Sequence, residues 1–571
     1  MKATVGRRGV GAVVGLVCGL IALGPSLAPG FILRYDLVFV PHLALGDRTL
    51  GVDGSVPRAV PNDFVAALLS HLAPGWVIEK VLLLAVFVLA GTGVGALLRS
   101  RLGAAAGALV ACWNPYVAER LSIGHWGYLL GYACVPFLVG AAAAVRQGVP
   151  RSRVRLGVWL LAAAATGSTG AVLGMIAVLA VLAVPSPGLR RRVGDFAWAA
   201  VVFVLANATW WFSYLFLASS TSTSRVGVEA FRSVADTPWG VIGSLLTGGG
   251  IWNQGVWFSE RDSAVVSGLA LLVALLSAGL AVRDRVWRAG PAVAGLALAG
   301  LVGLVLAAAS ALPLGRDLMT TVITDLPGGG LLRDAQKFVG LWMILVAVLA
   351  GRLVERVRDV GAAAGVERST ALTVAALVAC WPVVTLTGFA WGLGGSLHAV
   401  DYPASYTRMA QRIDALPAGG VAVFPWGLYR QYAFDDDVVV LDPWQRLLDR
   451  DVVVDDDLPL VGGAVVPGES PRAARITDAV RADRGVPATL RREGVRYVLV
   501  QTDQPTSGDV PDLGSARRIA SDGTLRLYDL GSGRPQPATH GAVRYTGWLL
   551  AGLAILVVGA RLVAEGLTHR H

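Results

Sequence analysis

The apolar residues of this chain are gathered into long blocks, and this feature most constrains how it can fold. The blocks run for roughly 17–25 residues between arginines, the length that an α-helix needs to cross ~30 Å of hydrocarbon. Only 15% of the 571 residues are charged, whereas 54% are hydrophobic. Because a soluble domain carries about 25% charged residues, a single globular cytosolic enzyme is excluded. The sequence predicts a polytopic α-helical membrane protein.

We predict about twelve transmembrane helices from the apolar blocks. They cover residues 9–31, 79–98, 103–118, 127–145, 153–167, 169–185, 195–216, 263–282, 290–312, 337–356, 370–391 and 543–563. The fifth and sixth could instead be one long kinked segment, although two spans fit the charges better. The first block could be a signal peptide, but its length favours an uncleaved anchor.

The charges of the loops predict how the chain is oriented. With the N-terminus in the cytoplasm, Lys and Arg predominate in the inner loops, as the positive-inside rule requires. The protein is therefore predicted in the plasma membrane, with both termini cytoplasmic. The net charge of +10 comes largely from arginine in a chain rich in Ala, Val and Gly. This usage is typical of GC-rich coding, and no nucleic-acid partner is predicted.

Residues 393–542 have the composition of a soluble domain. Short β-branched runs alternate there with helical stretches, which predicts a small α/β domain with a mainly parallel sheet. The predicted strands are Val421–Phe424, Val438–Leu441, Tyr497–Val500 and Leu525–Tyr528. By the span count this domain is extracytoplasmic. The predicted organisation is a membrane domain over 1–392, the α/β domain over 393–542, and a final helix and tail over 543–571.

Asp36 is the strongest candidate for a catalytic residue. It follows the first predicted span, in the otherwise apolar stretch from Phe31 to Pro41. A carboxylate at a lipid–water boundary costs free energy unless it is paired or used, so we interpret Asp36 as a general base. The alternative is a structural ion pair with Arg34 or Arg58.

A second set of candidates lies between the third and fourth spans. Glu119, Arg120 and His125 are packed there beside Trp113 and Trp126. Arginine and histidine suit a phosphate, and aromatic rings suit a sugar face or the headgroup region. The alternative is interfacial anchoring together with a Glu119–Arg120 structural pair.

A third set precedes the tenth span. Arg333 and Lys337 are spaced i, i+4, which predicts that they share one helical face. Two cations at a helix N-terminus, on the side that the positive-inside rule disfavours, suggest that an anion binds between them. Asp334 could instead neutralise one of them.

The loop before the eighth span adds Trp252 and Trp257, which are candidates to stack on a carbohydrate.

Motifs for ATP binding and for Cys/His metal binding are not found in the sequence. The sequence has no GxxxxGK[ST] phosphate-binding loop and no Cys/His metal spacing, and its 4 cysteines all fall in apolar blocks.

These motifs together resemble the GT-C superfamily of integral-membrane glycosyltransferases. The resemblance rests on Asp36, on the Asn114–Tyr132 segment with Glu119-Arg120 and Gly124-His125-Trp126, and on Leu332-Arg333-Asp334 with Lys337. The chain looks most similar to the arabinofuranosyl- and mannosyltransferases of mycolate-type cell envelopes. About residues 1–360 carry the GT-C-like part.

The resemblance implies a sugar donor linked to polyprenyl phosphate and a glycan or glycolipid acceptor. It implies an inverting transfer with Asp36 as base. Arg333, Lys337, Arg120 and His125 would bind the donor phosphate, and Glu119, Trp126, Trp252, Trp257 and Asp334 would bind substrate. Trp426, Tyr429 and Trp444 of the α/β domain are candidates to hold a growing glycan. A divalent metal is compatible with the family, but a lone Asp36 does not require one.

Two other functions remain open at this stage. The chain could be a transporter or flippase for a lipid-linked glycan, which predicts charged residues in the middle of spans. It could also be a non-catalytic scaffold whose outer domain binds envelope partners. Mid-span positions are nearly all apolar, which favours a site at the membrane face.

Overall fold

The structure is a computed structural model with a helical part and a C-terminal α/β part. It describes residues 2–567 except 186–188, 217–223, 284, 286, 287, 289, 327, 366, 461, 462, 464, 505–509 and 532–540. The α-helices in chain order are α1 (Lys2–Leu23), α2 (Asn62–Ser70), α3 (Gly75–Leu97), α4 (Arg101–Cys112), α5 (Pro115–Ser122), α6 (Trp126–Gln147), α7 (Ser152–Ala164), α8 (Ser168–Ala183), α9 (Leu189–Ala206), α10 (Ala208–Phe216), α11 (Arg225–Ala230), α12 (Gly240–Leu246), α13 (Ala264–Arg283), α14 (Pro291–Ala309), α15 (Pro313–Asp325), α16 (Val339–Ala363), α17 (Arg368–Ala379), α18 (Trp381–Thr385), α19 (Ala390–Gly394), α20 (Ala404–Asp414), α21 (Trp444–Leu447), α22 (Pro471–Arg481), α23 (Val486–Arg492) and α24 (Thr546–Leu567).

The long apolar helices support a helical membrane protein. Among the described residues, six helices are long and apolar enough to cross a membrane, and a bent pair formed by α9 and α10 would make a seventh. The six are Thr4–Leu27, Gly75–Leu97, Trp126–Gln147, Pro291–Ala309, Ala335–Gly361 and Gly541–Glu565. Two shorter apolar helices are Ser168–Ala183 and Ala264–Gly279. The total of twelve spans stays a prediction.

The predicted span 103–118 is broken in the structure, whereas the fifth and sixth predicted spans are two helices, as the charges favour. The block 103–118 is not one helix, because α4 ends at Cys112 and α5 begins at Pro115. Asn114 caps α5 by accepting a hydrogen bond from the backbone nitrogen of Val117 at 3.0 Å. The segments 153–167 and 169–185 form two helices, α7 and α8, separated at Gly167, which has a φ of +97°.

Close packing of α1 on α3 depends on glycines spaced four residues apart. A Cβ at Gly11 would collide with the carbonyl oxygen of Gly91, and one at Gly15 would collide with the carbonyl oxygen of Phe87. Small residues at this spacing let two membrane helices approach at backbone distance. The packing fixes the end of α1, from which the segment carrying Asp36 continues.

The described residues form nine strands, which lie between residues 420 and 529. They are β1 (Gly420–Phe424), β2 (Tyr429–Gln431), β3 (Val439–Leu441), β4 (Val452–Val453), β5 (Leu458–Pro459), β6 (Val465–Val466), β7 (Val495–Gln501), β8 (Arg517–Asp522) and β9 (Leu525–Asp529). The main sheet has the order β4-β1-β7-β9-β8, and β2-β3 and β5-β6 form separate pairs.

The prediction of a mainly parallel sheet is wrong. β1 pairs in parallel with β4 and β7, but β9 runs antiparallel to both β7 and β8. The hairpin from β8 to β9 turns at Gly523, whose φ is +56°, so the last strand returns without a crossover helix. The run Val438–Leu441 is a strand, but it pairs with β2 outside the main sheet.

Both faces of the main sheet are covered, as the strand periodicity requires. Phe424 and Val498 pack with Ile476 of α22 on one face. Val423 and Leu499 belong to the larger core, which also contains Ile413 of α20. Alternation along each strand therefore divides the apolar residues between two layers.

The α/β part contacts the segment that follows α1 through backbone hydrogen bonds. The nitrogen of Tyr35 donates to the carbonyl of Val439 at 2.7 Å, and the nitrogen of Leu441 donates to the carbonyl of Tyr35 at 2.8 Å. Phe31 exchanges two further backbone bonds with Val400. These contacts hold β3 against the segment that carries Asp36.

We expect Gly15→Ala to lower the stability of the chain by about 1–3 kcal/mol, the usual cost of overpacking. The added methyl group would force α1 away from α3. The midpoint of thermal unfolding in detergent measures this. Gly9→Ala is the matched control, because a Cβ at Gly9 in the same helix has nothing within 4 Å. Equal midpoints for the two variants would contradict the packing argument.

Candidate active site

Asp36 lies in a tight turn that is tied to the connection between α5 and α6. Arg34 and Leu37 exchange backbone hydrogen bonds at 3.1 and 2.8 Å, and Tyr35 between them has a φ of +46°. The nitrogen of Asp36 donates to the carbonyl of Ile123 at 3.1 Å. A Cβ at Gly124, whose φ is +88°, would collide with the nitrogen of Leu37. The turn therefore has little freedom to move, and it fixes the direction of the Asp36 side chain.

The Asp36 carboxylate is half-buried and has two partners. Tyr429 of β2 donates its hydroxyl to Oδ1 at 2.9 Å, and Nε2 of His125 lies 3.3 Å from Oδ2. Burial raises the pKa of Asp36, but the hydrogen bonds from His125 and Tyr429 outweigh this and hold the pKa below its ordinary value. The side chain is 40% exposed, so an ionised carboxylate remains accessible to a substrate.

A buried guanidinium fixes the orientation of His125. Nη1 of Arg120 lies 3.1 Å from Nδ1 of His125. Because arginine can only donate, Nδ1 must accept, and the remaining ring proton is on Nε2. Nε2 then donates to Asp36. The imidazole is therefore held as the neutral tautomer that can support the carboxylate.

Arg120 is fully buried and is paired by residues that precede α16. Its Nη1 and Nη2 both donate to the carboxylate of Asp334, and Nη2 also donates to Oε1 of Gln336. Gln336 in turn donates to the carbonyl of Gly249 at 3.0 Å. Burial raises the pKa of Asp334, but Arg120 more than offsets it and holds that pKa below its ordinary value. Asp334 thus forms its ion pair with Arg120, and the charge of Lys337 also helps to lower its pKa.

Arg333 and Lys337 do not share one face of an α-helix, which corrects that prediction. The chain forms two 3₁₀ turns, Gly329–Leu332 and Ala335–Phe338, and Asp334 between them has φ −98° and ψ 72°. The α-helix begins only at Val339. The i, i+4 spacing therefore does not bring the two cations together in the way that a continuous helix would.

Lys337 is a buried cation that forms no ion pair with the described residues. It is 5% exposed, and its Nζ lies 6.0 Å from the centre of the Tyr128 ring. Among the residues that the structure describes, none accepts a hydrogen bond from this ammonium group. The centre of the His125 ring is 4.5 Å from the centre of the same Tyr128 ring, so Lys337 and the Asp36–His125 pair both lie near Tyr128.

Glu119 is buried behind the site and does not pair with Arg120. Its Oε1 is 3.8 Å from Nε of Arg261, which forms a bidentate pair with Asp236 at 2.6 and 3.0 Å. Burial, with Asp236 adding to it, raises the pKa of Glu119 well above its ordinary value. The structure therefore places this predicted substrate-binding residue inside the protein, away from the exposed carboxylate.

The predicted tryptophans lie around the site at different depths. Trp126 is 9% exposed and packs on Phe39, with ring centres 5.3 Å apart. Trp252 and Trp257 are half-buried and form a small apolar cluster together with Tyr35. This cluster lies beside the turn that carries Asp36.

The most important contact that the sequence did not predict is made by Tyr429. It was grouped with Trp426 and Trp444 as a candidate to hold glycan, but those two are core residues that are 8% and 0% exposed. Nothing local distinguishes Tyr429 from them, because its role depends on β3 pairing with Tyr35. The role of Gln336 as a partner of Arg120 could not be predicted either, because the sequence does not show that the two side chains are buried together.

The residues around Asp36 do not form a metal-ligand set. Among the described residues, the one group of three closely spaced metal-ligating side chains is Asp455, Asp456 and Asp457. Two of these carboxylates accept backbone hydrogen bonds from Gly468, Glu469 and Ser470. These carboxylates therefore brace a loop of the α/β part.

Solved structures resemble the chain over most of its length. A structure of "Arabinofuranosyltransferase AftD from Mycobacteria" matches with a TM-score of 0.49 and 15% identity, over 92% of this chain and 40% of that one. Its R1389S mutant in class 2 matches with a TM-score of 0.49 and 17% identity, over 92% of this chain and 41% of that one. The chain thus spans about two fifths of the length of these proteins.

An oligosaccharyltransferase from Archaeoglobus fulgidus matches with a TM-score of 0.39 and 12% identity, over 86% of this chain and 68% of that one. No protein-family model and no curated protein sequence matches the chain.

We expect Asp334→Asn to destabilise the chain by about 3 kcal/mol, because it leaves the buried Arg120 charge uncompensated. The measurement is the midpoint of thermal unfolding of the detergent-solubilised chain. Asp522→Asn is the control. It removes a bidentate ion pair with Arg408 that is largely exposed, and exposed ion pairs contribute little to the free energy of unfolding. If both variants unfold at the wild-type midpoint, Arg120 does not depend on Asp334.

Proposed function

We propose that this protein is a membrane glycosyltransferase. It transfers a sugar from a polyprenyl-phosphate donor to a glycan or glycolipid of the cell envelope, at the outer face of the plasma membrane. The observation that carries the proposal is the half-exposed Asp36 carboxylate, held ionised by Tyr429 and His125, with the Lys337 cation near Tyr128 and without an ion pair among the described residues. A base next to a buried cation suits a reaction that takes a proton from one oxygen and leaves negative charge on another.

In the proposed reaction Asp36 accepts the proton of an acceptor hydroxyl. The hydroxyl oxygen attacks the anomeric carbon of the donor, and the bond from that carbon to the phosphate oxygen breaks. The polyprenyl phosphate leaves with the electron pair of that bond. Attack opposite the leaving group inverts the anomeric configuration. His125 and Tyr429 orient the Asp36 carboxylate throughout, through their hydrogen bonds to its two oxygens.

The leaving phosphate gains negative charge, and Lys337 is the group best placed to balance it. Its ammonium is buried beside Tyr128 and Phe338, where low polarity strengthens its attraction for an anion. Arg120 acts differently, because Asp334 and Gln336 occupy the terminal nitrogens of its guanidinium. We assign Arg120 the positioning of His125.

The position of the site favours a donor with a lipid tail. Lys337 falls within Ala335–Gly361, one of the candidate membrane spans. The Asp36 turn instead contacts β3 of the α/β part. A phosphate near Lys337 would therefore sit at the membrane boundary, where a polyprenyl chain can stay in the bilayer. The acceptor would approach from the side of the α/β part.

We expect Asp36→Asn to lower the rate of sugar transfer by about 10²–10⁴-fold, the usual contribution of a general base. The assay supplies the purified chain with polyprenyl-phosphate-linked arabinofuranose or mannose and a short glycan acceptor, and measures the radiolabelled product. Asparagine keeps the shape of the side chain and its hydrogen bond to Tyr429, so a loss of rate reports the missing base.

Asp47→Asn is the matched control for this experiment. Asp47 lies in the same loop and is half exposed, but it pairs with Arg544 at 2.7 Å, away from the site. We expect it to transfer sugar at the wild-type rate. If the Asp36→Asn variant transfers sugar at the wild-type rate, Asp36 is not the base. A folded wild-type chain that transfers neither sugar would favour a flippase or a scaffold.

We expect Tyr429→Phe to move the acid limb of the transfer–pH profile to higher pH. The Tyr429 hydroxyl stabilises the ionised Asp36, so its removal raises the pKa of the carboxylate. Because only the ionised base works, activity is then lost sooner as the pH falls. The measurement is kcat/KM against pH. A uniform loss of rate with an unmoved acid limb would show that Tyr429 acts only on the fold.

A further inference from the structure

Glu469 of the α/β part bridges two arginines that come from separate segments of the helical part. Its Oε1 accepts a hydrogen bond from Nη1 of Arg333 at 2.8 Å, and its Oε2 lies 3.1 Å from Nη2 of Arg58. The Glu469 side chain is 11% exposed, whereas that of Arg58 is 49% exposed. Each guanidinium therefore holds one oxygen of the same carboxylate, at the edge of solvent.

Two guanidinium groups hold one carboxylate in this cluster. The charge of the Asp456 carboxylate also acts on Arg58, so the cluster contains two cations and two anions. Arg333 also lies 4.7 Å from the centre of the Phe231 ring, which fixes its plane. Two arginines that grip separate oxygens of one anion are also the arrangement that binds a phosphate group, and a phosphate carries more charge and more acceptor oxygens than a carboxylate.

The cluster adjoins the proposed active site. Burial and the Asp36 carboxylate raise the pKa of Tyr429, and the Arg58 charge opposes them, so Arg58 lies near the tyrosine that donates to Asp36. The Arg333 charge acts on Lys337, so both arginines lie near groups of the proposed active site.

The Glu469 side chain can leave this position without a change of fold. Its backbone nitrogen and that of Ser470 both donate to Oδ2 of Asp456, at 2.7 and 2.9 Å, and Ser470 caps α22. The backbone is therefore held independently of the arginines. The carboxylate at the end of the glutamate side chain is free to rotate about its single bonds.

We propose that Arg58 and Arg333 form a phosphate-binding site and that the Glu469 carboxylate occupies it until a phosphate group displaces it. The phosphate is that of a lipid-linked sugar donor or of its polyprenyl-phosphate product, and this identification rests on the proposed function. In the absence of phosphate, the carboxylate keeps two neighbouring cations from repelling each other. Displacement releases one of the contacts between the α/β part and the helical part.

The test measures binding of two phosphates to the purified full chain in detergent. Undecaprenyl monophosphate and inorganic phosphate are titrated separately, so that a lipid phosphate and a free phosphate are distinguished. We expect Glu469→Gln to tighten the binding of undecaprenyl monophosphate by about tenfold, because the competing charge is removed. Arg58→Gln should weaken it by a similar factor relative to wild type. A site for free phosphate would show the same changes with inorganic phosphate at comparable affinity.

Glu493→Gln is the matched control. Glu493 is 12% exposed and pairs with Arg475 through both oxygens, on the same domain but away from Arg58 and Arg333. We expect its phosphate affinities to equal those of wild type. If Glu469→Gln does not fold, Arg58→Gln still tests the proposal, because Arg58 is half exposed.

Unchanged phosphate binding in both Glu469→Gln and Arg58→Gln would overturn the proposal and leave Glu469 a structural tie. Sugar transfer by the same preparation separates the two hypotheses. Altered phosphate binding without any sugar transfer would keep this site and refute the proposed function. Sugar transfer with unaltered phosphate binding would support the proposed function and refute this phosphate site.

Discussion

The site depends on the burial of one charge, the guanidinium of Arg120. A buried cation needs partners for its charge and its donors. Asp334, Gln336 and His125 accept hydrogen bonds from the terminal nitrogens of Arg120, while its Nε has no partner among the described residues. These partners come from two places, the connection between α5 and α6 and the segment that precedes α16. The requirement to satisfy Arg120 therefore brings the two segments together, and it sets the tautomer of His125 and the direction of its bond to Asp36.

The second half of the site comes from the α/β part. β3 pairs with the backbone of Tyr35, β2 brings the hydroxyl of Tyr429 to Asp36, and Glu469 reaches Arg58 and Arg333. None of these contacts exists within either part alone. The candidate base therefore has its observed surroundings only when the α/β part is docked, which gives this part a role at the site itself as well as any role in holding glycan.

The sequence predicted the features that depend on local pattern. Six of the predicted spans correspond to helices of membrane length. Asp36, Arg120, His125, Asp334 and Lys337 were assigned to one end of the bundle, and the structure brings them close together. Contacts between residues that are distant in the sequence were not predicted. Glu119 pairs with Arg261 and not with its neighbour, and Arg333 pairs with Glu469, 136 residues away. The antiparallel return of β9 was missed because a hairpin and a crossover begin with the same strand pattern.

The distribution of paired and unpaired cations explains how one site could both bind and release a phosphate. Arg120 is permanently neutralised by the buried Asp334, so it can orient His125 without holding an anion. Lys337 has no carboxylate partner among the described residues, so it attracts any anion that reaches it. Arg58 and Arg333 are intermediate, because their partner Glu469 is a side chain at the edge of solvent. A competing carboxylate lowers the affinity for the product phosphate without removing the cations that the reaction needs. In the proposed transfer, this competition favours release of the polyprenyl phosphate once the sugar has left.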